Sequence, residues 1–456
     1  MQVTNPATEQ VIAEIPEDGV EEIRLKFDLL KSGLEAWQKT SLGERIEMIN
    51  YFSSLLEAKE ELLALILTRE MGKPVSQSRN ELRGARKRIS WLTSQAAKYL
   101  ADETMTMEGG VEERIVYEPL GVIGNISAWN YPYLVGVNVY VPALLAGNAV
   151  LYKPSEFATL TGLEVKKLLL EAGIPNNIFQ VVTGAGKTGE MVTDLDFDAF
   201  YFTGSFVTGE QIYLKMSSRM IPCHCELGGK DSLYVADDIS DIKAVAASAA
   251  DGAFYNNGQS CCAVERLYVH ANVYERFIGE FVKEVSSYRS GSPEEPGIYI
   301  GPLTRPLQMN ILEEQVADAL SKGAEVLVGG HRKASPGYYF EPTVVVKVTR
   351  EMKLMQDESF GPIIGIMKVK DDEEAIRMMQ DSEYGLTASV YSSSQARAEK
   401  ILKQIDTGTG YWNCCDRVSA PLPWSGRKHS GIGVTLSHAG LRAMTKVKSY
   451  HLIVPQ

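Results

Sequence analysis

Residues 121–153 read GVIGNISAWNYPYLVGVNVYVPALLAGNAVLYK. Gly121–Ser127 and Ala149–Lys153 are short apolar runs, and Tyr133–Leu145 between them has the length of a helix. Strands that are apolar on both faces and joined through helices pair in parallel, because each crossover lays its helix on a face of the sheet. The alternation continues along the chain. Thr159–Glu171 reads as a helix, Phe179–Val182 and Ala199–Phe202 as strands, Gln211–Met216 as part of a helix and Cys223–Leu227 as a strand. Residues 121–227 therefore predict an α/β, doubly wound nucleotide-type domain with a parallel sheet.

Upstream, Glu21–Lys39, Leu42–Met71 and Gln77–Leu100 carry apolar residues at three- and four-residue spacing, which predicts three helices. Arg114–Glu118 alternates as an exposed strand does. Downstream, a second α/β series is expected: helices Ile242–Phe254 and Val273–Val285, with strands Leu267–His270, Val344–Val348, Ile363–Val369 and Ala388–Tyr391. Lys446–Val454, followed by Pro455, reads as a terminal strand able to pair, including with another subunit.

The chain has 456 residues, 45% hydrophobic and 23% charged, enough for two or three globular domains. A formal net charge of −12 argues against a nucleic-acid partner, and no apolar run is long enough to span a membrane. The opening MQVTNPATEQVIAEIPEDG lacks the basic start and apolar core of a signal peptide, so the expected location is cytoplasmic. The six cysteines fall in pairs, Cys223/Cys225, Cys261/Cys262 and Cys414/Cys415. This spacing suits neither a disulfide framework nor a structural zinc site, and no metal is expected.

Gly184–Gly189, GAGKTG, follows a strand and matches a glycine-rich dinucleotide turn, but no acidic residue about 20 positions later completes the fingerprint. A P-loop is disfavoured because Val181 stands where its first glycine belongs. GQSCCAVER, Gly258–Arg266, is more telling: small and polar neighbours leave room for a substrate against a thiol. A buried structural cysteine is the ordinary alternative.

Seven segments in order bring in a family. EPLGVIGNISAWNYPY, LYKPSE, FTGS, ELGGK, GQSCCA, DESFGP and PLPWSGRKHSGIG closely resemble motifs of the aldehyde dehydrogenase superfamily, and the likeness spans nearly the full chain. The resemblance implies an NAD(P)-dependent enzyme that oxidises an aldehyde to a carboxylic acid through a thioester. It assigns the nucleophile to Cys261, the general base to Glu226, and the oxyanion contact to Asn130 together with the Cys261 N–H. Cofactor contacts are assigned to Trp129, Lys153, Glu156, Gly186, Gly204, Ser205, Gly209, Glu358 and Phe360. Tyr131 and Trp424 are assigned to the substrate.

The resemblance further implies a cofactor-binding domain (1–100 and 119–228), a catalytic domain (229–430) and a bridging region (101–118 and 431–456) that makes a homodimer or homotetramer. A carboxylate at Glu156 favours NAD, with NADP use left open. Two alternatives stay in view: a CoA-acylating enzyme, and a non-catalytic relative. Trp424 and Ser425 depart from the family's usual Phe and Gly, and Val434-Thr435 from its Arg-Glu. Position 138 is Asn, where succinate-semialdehyde enzymes carry arginine and betaine-aldehyde enzymes tryptophan. The expected substrate is consequently an aldehyde without strong charge demands, medium-chain or aromatic. Arg417 is either a contact for a distal carboxylate or a solvated surface group.

Overall fold

The computed structural model describes residues 1–108 and 110–453. Its first sheet runs in the order Gly431–Ile432, Cys223–Glu226, Ala199–Thr203, Val122–Ile126, Ala149–Lys153 and Phe179–Val181. All neighbours pair in parallel except the Gly431–Ile432 edge. Strand order reverses beside Val122–Ile126, which lies between the strands that follow it first and third in the chain. Such a reversal opens a crevice at the carboxyl ends of the strands, where doubly wound folds bind ligands.

The amino-terminal helices close over this sheet. Ile23, Phe27, Leu30 and Trp37 share one core with Ile123, Leu151 and Phe200. The expected single helix over Leu42–Met71 is two, Leu42–Ala58 and Glu60–Met71, broken at Lys59 with φ −110° and ψ 16°. Local propensity favours continuation there, so the break is set by packing. Lys59 reaches Glu171 at 2.6 Å, and Glu60 and Glu61 accept from Arg83 and Arg79 on the next helix.

A second sheet has the order Glu325–Val328, Thr343–Val346, Ile363–Val369, Val264–His270, Asp231–Val235, Thr387–Tyr391 and Thr409–Trp412. It is parallel apart from its first pair and carries a core on each face, one around Leu312 and Val345, the other around Phe254 and Leu267. Asp231–Val235 was not expected, because it opens on two polar residues. Both are buried: the Asp231 carboxylate accepts the Thr387 N–H at 2.9 Å and the Thr387 hydroxyl at 2.5 Å, joining adjacent strands.

Three antiparallel strands form a third sheet in the order Thr445–Ile453, Val111–Pro119 and Glu103–Glu108. The expected terminal strand is thus paired within its own chain, while Val454 and Pro455 lie outside the described residues. No helix among the described residues is long and apolar enough to cross a membrane.

Candidate active site

A cavity of about 1640 Å³ runs from the carboxyl ends of the first sheet to the loop bearing Cys261. Cys261, Glu226, Asn130, Trp129, Tyr131, Lys153, Glu156, Gly186, Gly204, Ser205, Glu358, Phe360 and Trp424 all line it. Gly209 does not. It is buried in the helix Phe206–Ser217, where a Cβ would stand 2.4 Å from Leu227, so its part is close packing under the cavity floor.

The helix Ile242–Phe254 ends in an unusual turn. Asn256, Asn257 and Gly258 all have positive φ, at 52°, 57° and 67°. Non-glycine residues held there cost about 1–3 kcal/mol each, so the surroundings must over-determine them. Asn257 donates to the Gly301 and Pro302 carbonyls at 2.8 Å, and Asn256 donates to Gln259 at 3.0 Å. At Gly258 a Cβ would meet the Gly361 carbonyl at 2.2 Å. The turn delivers Cys261 half-buried to the cavity and buries Cys262. The Cys262 thiol donates to Asp416 at 3.0 Å, and its pKa is raised well above the ordinary thiol value, first by its hydrogen bond with Cys261, then by burial and the charge of Asp416. Cys262 is therefore held as a thiol.

Asn130 is fixed from both ends. Its side-chain amide donates to the Gln259 carbonyl at 3.1 Å, leaving one N–H for the cavity, and its own carbonyl accepts from Lys73 at 2.8 Å. Lys73 forms a buried ion pair with Glu81, which also accepts the Tyr133 N–H at 2.8 Å. The Lys73 ammonium sits 3.8 Å from the centre of the Tyr131 ring. Neither Lys73 nor Glu81 belongs to a motif, and only the fold discloses their place.

Glu226 ends its strand facing the cavity. Burial raises its pKa to about 7, opposed by the Thr435 hydroxyl, which donates to it at 2.5 Å, and by the charge of Arg88. Here is the physical content of the departure at 434–435: a threonine orients the carboxylate. Thr435 is itself tied to Trp424 by two backbone hydrogen bonds of 2.8 and 2.9 Å.

Glu358 accepts the Gly229 N–H at 2.9 Å, and burial pushes its pKa up to about 8. The next two residues hang from Glu265, which accepts the Ser359 and Phe360 N–H groups at 2.8 and 2.9 Å and pairs with Lys230 at 2.7 Å. Phe360 meets Trp129 edge-on, with ring centres 5.4 Å apart. Lys153 ends its strand as a buried ammonium. Its hydrogen-bond acceptor among the described residues is the Pro154 carbonyl at 3.3 Å, and burial lowers its pKa. Glu156 accepts from Ser155 at 3.1 Å. Ser205 stands at the start of the helix Phe206–Ser217 without capping it. The glycine-rich turn at 184–189 makes a poor phosphate cradle, since its Ala185 N–H already meets the Glu17 carboxylate at 3.3 Å.

Two outlying residues also fall into place. Arg417 is exposed and lines the cavity. Asn138 accepts a hydrogen bond from Arg88 at 2.9 Å, and Arg88 lines the same cavity. The expectation of a substrate without charge demands rested on the missing arginine at 138. Position 138 carries no charge itself, while the Arg88 guanidinium reaches the cavity from another helix.

Comparison with known proteins places the chain in a family. A sequence model of the aldehyde dehydrogenase family matches residues 1–450. The chain is 32% identical to the peroxisomal aminoaldehyde dehydrogenase 1 of Pisum sativum, over 97% of this chain and 90% of that protein. It is 31% identical to the glutarate-semialdehyde dehydrogenase of Pseudomonas aeruginosa, over 98% and 93%. Among solved structures, an NADP-dependent enzyme from E. coli superimposes with a TM-score of 0.96 at 30% identity, over 99% of this chain and 94% of that one. The indole-3-acetaldehyde dehydrogenase of P. syringae, in complex with NAD+ and IAA, gives a TM-score of 0.96 at 29% identity, over 99% and 93%. The chain, matched by its family from the first residue to the 450th, belongs to the aldehyde dehydrogenases.

Proposed function

We propose that this protein oxidises an aldehyde to a carboxylic acid with NAD(P)+, using Cys261 as nucleophile and Glu226 as general base. The observation that carries the reading is the convergence of Cys261, Asn130, Glu226 and Glu358 on one cavity at the mouth of a doubly wound sheet.

The Cys261 sulfur, as thiolate, adds to the aldehyde carbon, and the carbonyl oxygen becomes an alkoxide. The remaining Asn130 amide N–H and the Cys261 backbone N–H supply donors to that oxygen. The dinucleotide supplies the hydride acceptor, so that loss of hydride from the adduct leaves a thioester on Cys261. Glu226 then takes a proton from water, the hydroxide adds to the thioester carbon, and the carbon–sulfur bond breaks to release the acid. A base at Glu226 favours water over CoA as the acyl acceptor. Retention of all four residues weighs against a non-catalytic relative.

The residues present fit a dinucleotide. Lys153 is a buried ammonium with donors to spare, and Glu156 beside it suits ribose hydroxyls. Ser205 at a helix N-terminus suits the pyrophosphate, Gly204 stands beside it, Gly186 leaves open cavity wall for the rest of the dinucleotide, and Gly209 acts through packing. Glu358 would hold the second ribose, between Trp129 and Phe360. Tyr131 and Trp424 would face the substrate. A 2′-phosphate would set like charge against Glu156, which at about 1–4 kcal/mol favours NAD by roughly one to three decades.

The proposed division is cofactor-binding 1–100 and 119–228, catalytic 229–430 and bridging 101–118 and 431–456; the three sheets support it, except that the strand Gly431–Ile432 joins the first sheet. A homodimer or homotetramer is supported by apolar residues exposed on the third sheet, including Met107, Val447 and Ile453. Six cysteines, all free of disulfides, accord with a cytoplasmic location.

The deciding experiment follows NADH formation over a panel of aldehydes, with NAD or NADP and with or without CoA. Turnover with NAD, faster than with NADP and indifferent to CoA, is expected. Cys261→Ala should abolish it while Cys262→Ala retains most of it. The reverse pattern in the two variants would move the nucleophile by one residue.

A further inference from the structure

Arg88 lies on the helix Val75–Tyr99, in none of the seven family-like segments. It is 8% exposed, and what surface it keeps faces the cavity that holds Cys261 and Glu226. Its Nη1 donates to the Leu134 carbonyl at 3.0 Å and to the Asn138 side-chain oxygen at 2.9 Å. Those two bonds aim the guanidinium and neutralise nothing. Of the nearby carboxylates, Glu81 pairs with Lys73, and Glu226, which feels the charge of Arg88, takes its hydrogen bond from Thr435 rather than from the guanidinium. Among the described residues no carboxylate forms an ion pair with Arg88, and the hydrogen bonds it makes all come from Nη1, leaving Nε and Nη2 without an acceptor.

A buried cation with no anion hydrogen-bonded to it is costly to keep, unlike the exposed arginines of the surface. It also stays charged at neutral pH, since burial lowers its pKa only to about 10. A guanidinium edge with unused parallel N–H groups matches a carboxylate in geometry as well as charge. Asp251 and Asp416 line the cavity as well, but each already accepts a hydrogen bond, from Tyr299 at 2.6 Å and from Cys262 at 3.0 Å.

We propose that Arg88, held by Asn138, is a specificity-determining residue that binds a carboxylate at the far end of the aldehyde, so that the substrate is a short ω-oxo acid and the product a dicarboxylate. The inference rests on the aldehyde-oxidising reading above and adds the substrate class. Position 138 then serves the same end by another route, lending an acceptor to an arginine rather than supplying one.

The test compares kcat/KM of the purified enzyme for 4-oxobutanoate and 5-oxopentanoate with butanal, pentanal and 4-aminobutanal. Each oxo acid should exceed its neutral counterpart by about 10- to 100-fold, the range of a charge-assisted hydrogen-bonded pair, and the cationic aldehyde should be poorest. In Arg88→Gln the ratio of anionic to neutral substrate should fall toward one, chiefly through KM for the oxo acid, and Arg88→Lys should restore part of it. Glutarate should inhibit the wild-type enzyme more strongly than pentanoate, and lose that advantage in Arg88→Gln. A wild-type enzyme that prefers neutral or cationic aldehydes overturns the inference while leaving aldehyde oxidation in place. So does a ratio that survives Arg88→Gln. Failure to oxidise any aldehyde overturns both.

Discussion

At the scale of single residues, Glu226 shows how position changes chemistry. In water a glutamate is ionised well below neutrality, at a pKa of about 4.3. Enclosed by the cavity wall, Glu226 is raised to about 7. It therefore acts as a base only as the pH rises through neutrality. The deacylation rate should climb with an apparent pKa near 7 and level off above it, and Glu226→Gln should give a burst of NADH followed by slow turnover. A flat pH profile, or an unimpaired variant, would remove Glu226 from the mechanism. The same shift has a stability sign. A carboxyl whose folded pKa exceeds its unfolded one contributes stability below the unfolded pKa and loses it as pH rises through the folded value. Glu226→Gln should consequently be at least as stable as the wild type at pH 8. Cys261, Glu226, Asn130 and Glu358 were legible because each sits inside a local motif. Thr435, Lys73 and Arg88 were not, since their importance lies in partners 209, 57 and 50 residues away.

Between elements, the junction at Glu70 illustrates what local sequence omits. The helix Thr159–Glu171 begins at Ala158, which cannot cap it. Glu70, from the helix Glu60–Met71, does so instead. Its carboxylate accepts the Leu160 and Thr161 N–H groups, each at 2.8 Å, and the Thr161 hydroxyl. An acid at a helix N-terminus also meets the positive end of the helix dipole. Glu70→Ala should lose about 1–3 kcal/mol by leaving these donors unsatisfied. The helix start follows the segment holding Lys153 and Glu156, so the KM for NAD should rise as well. Glu70→Gln, which keeps an acceptor, should lose less. Urea unfolding of the variants beside the wild type checks this, and an unmoved midpoint for Glu70→Ala would refute it. A cap supplied from 90 residues away leaves no local signature. The break at Lys59 is of the same kind, being set by Glu171 and two arginines rather than by a poor helix former.

For the whole molecule, the third sheet carries the clearest consequence. Thr445–Ile453 pairs on one side with Val111–Pro119, and among the described residues no strand covers its other edge. An edge strand with exposed Val447 and Ile453 is a surface that proteins ordinarily blunt with charge or cover with a partner. Sedimentation should give the mass of a dimer or tetramer. Introducing Val447→Lys together with Ile453→Lys should shift the population to smaller species, and a wild-type monomer at working concentration would refute the oligomer reading.

The sequence by itself determined the fold class and the identities at the chemical centre. Both are written locally: the first in alternating apolar runs and helices between residues 121 and 227, the second in short segments around Cys261, Glu226 and Glu358. Tertiary structure alone decided what surrounds that centre. It set the proton affinity of Glu226, removed Gly209 from the cavity wall, gave Thr435 a partner and brought a buried guanidinium to Asn138. Those properties depend on desolvation and on contacts between distant segments, which exist only once the chain has closed around them.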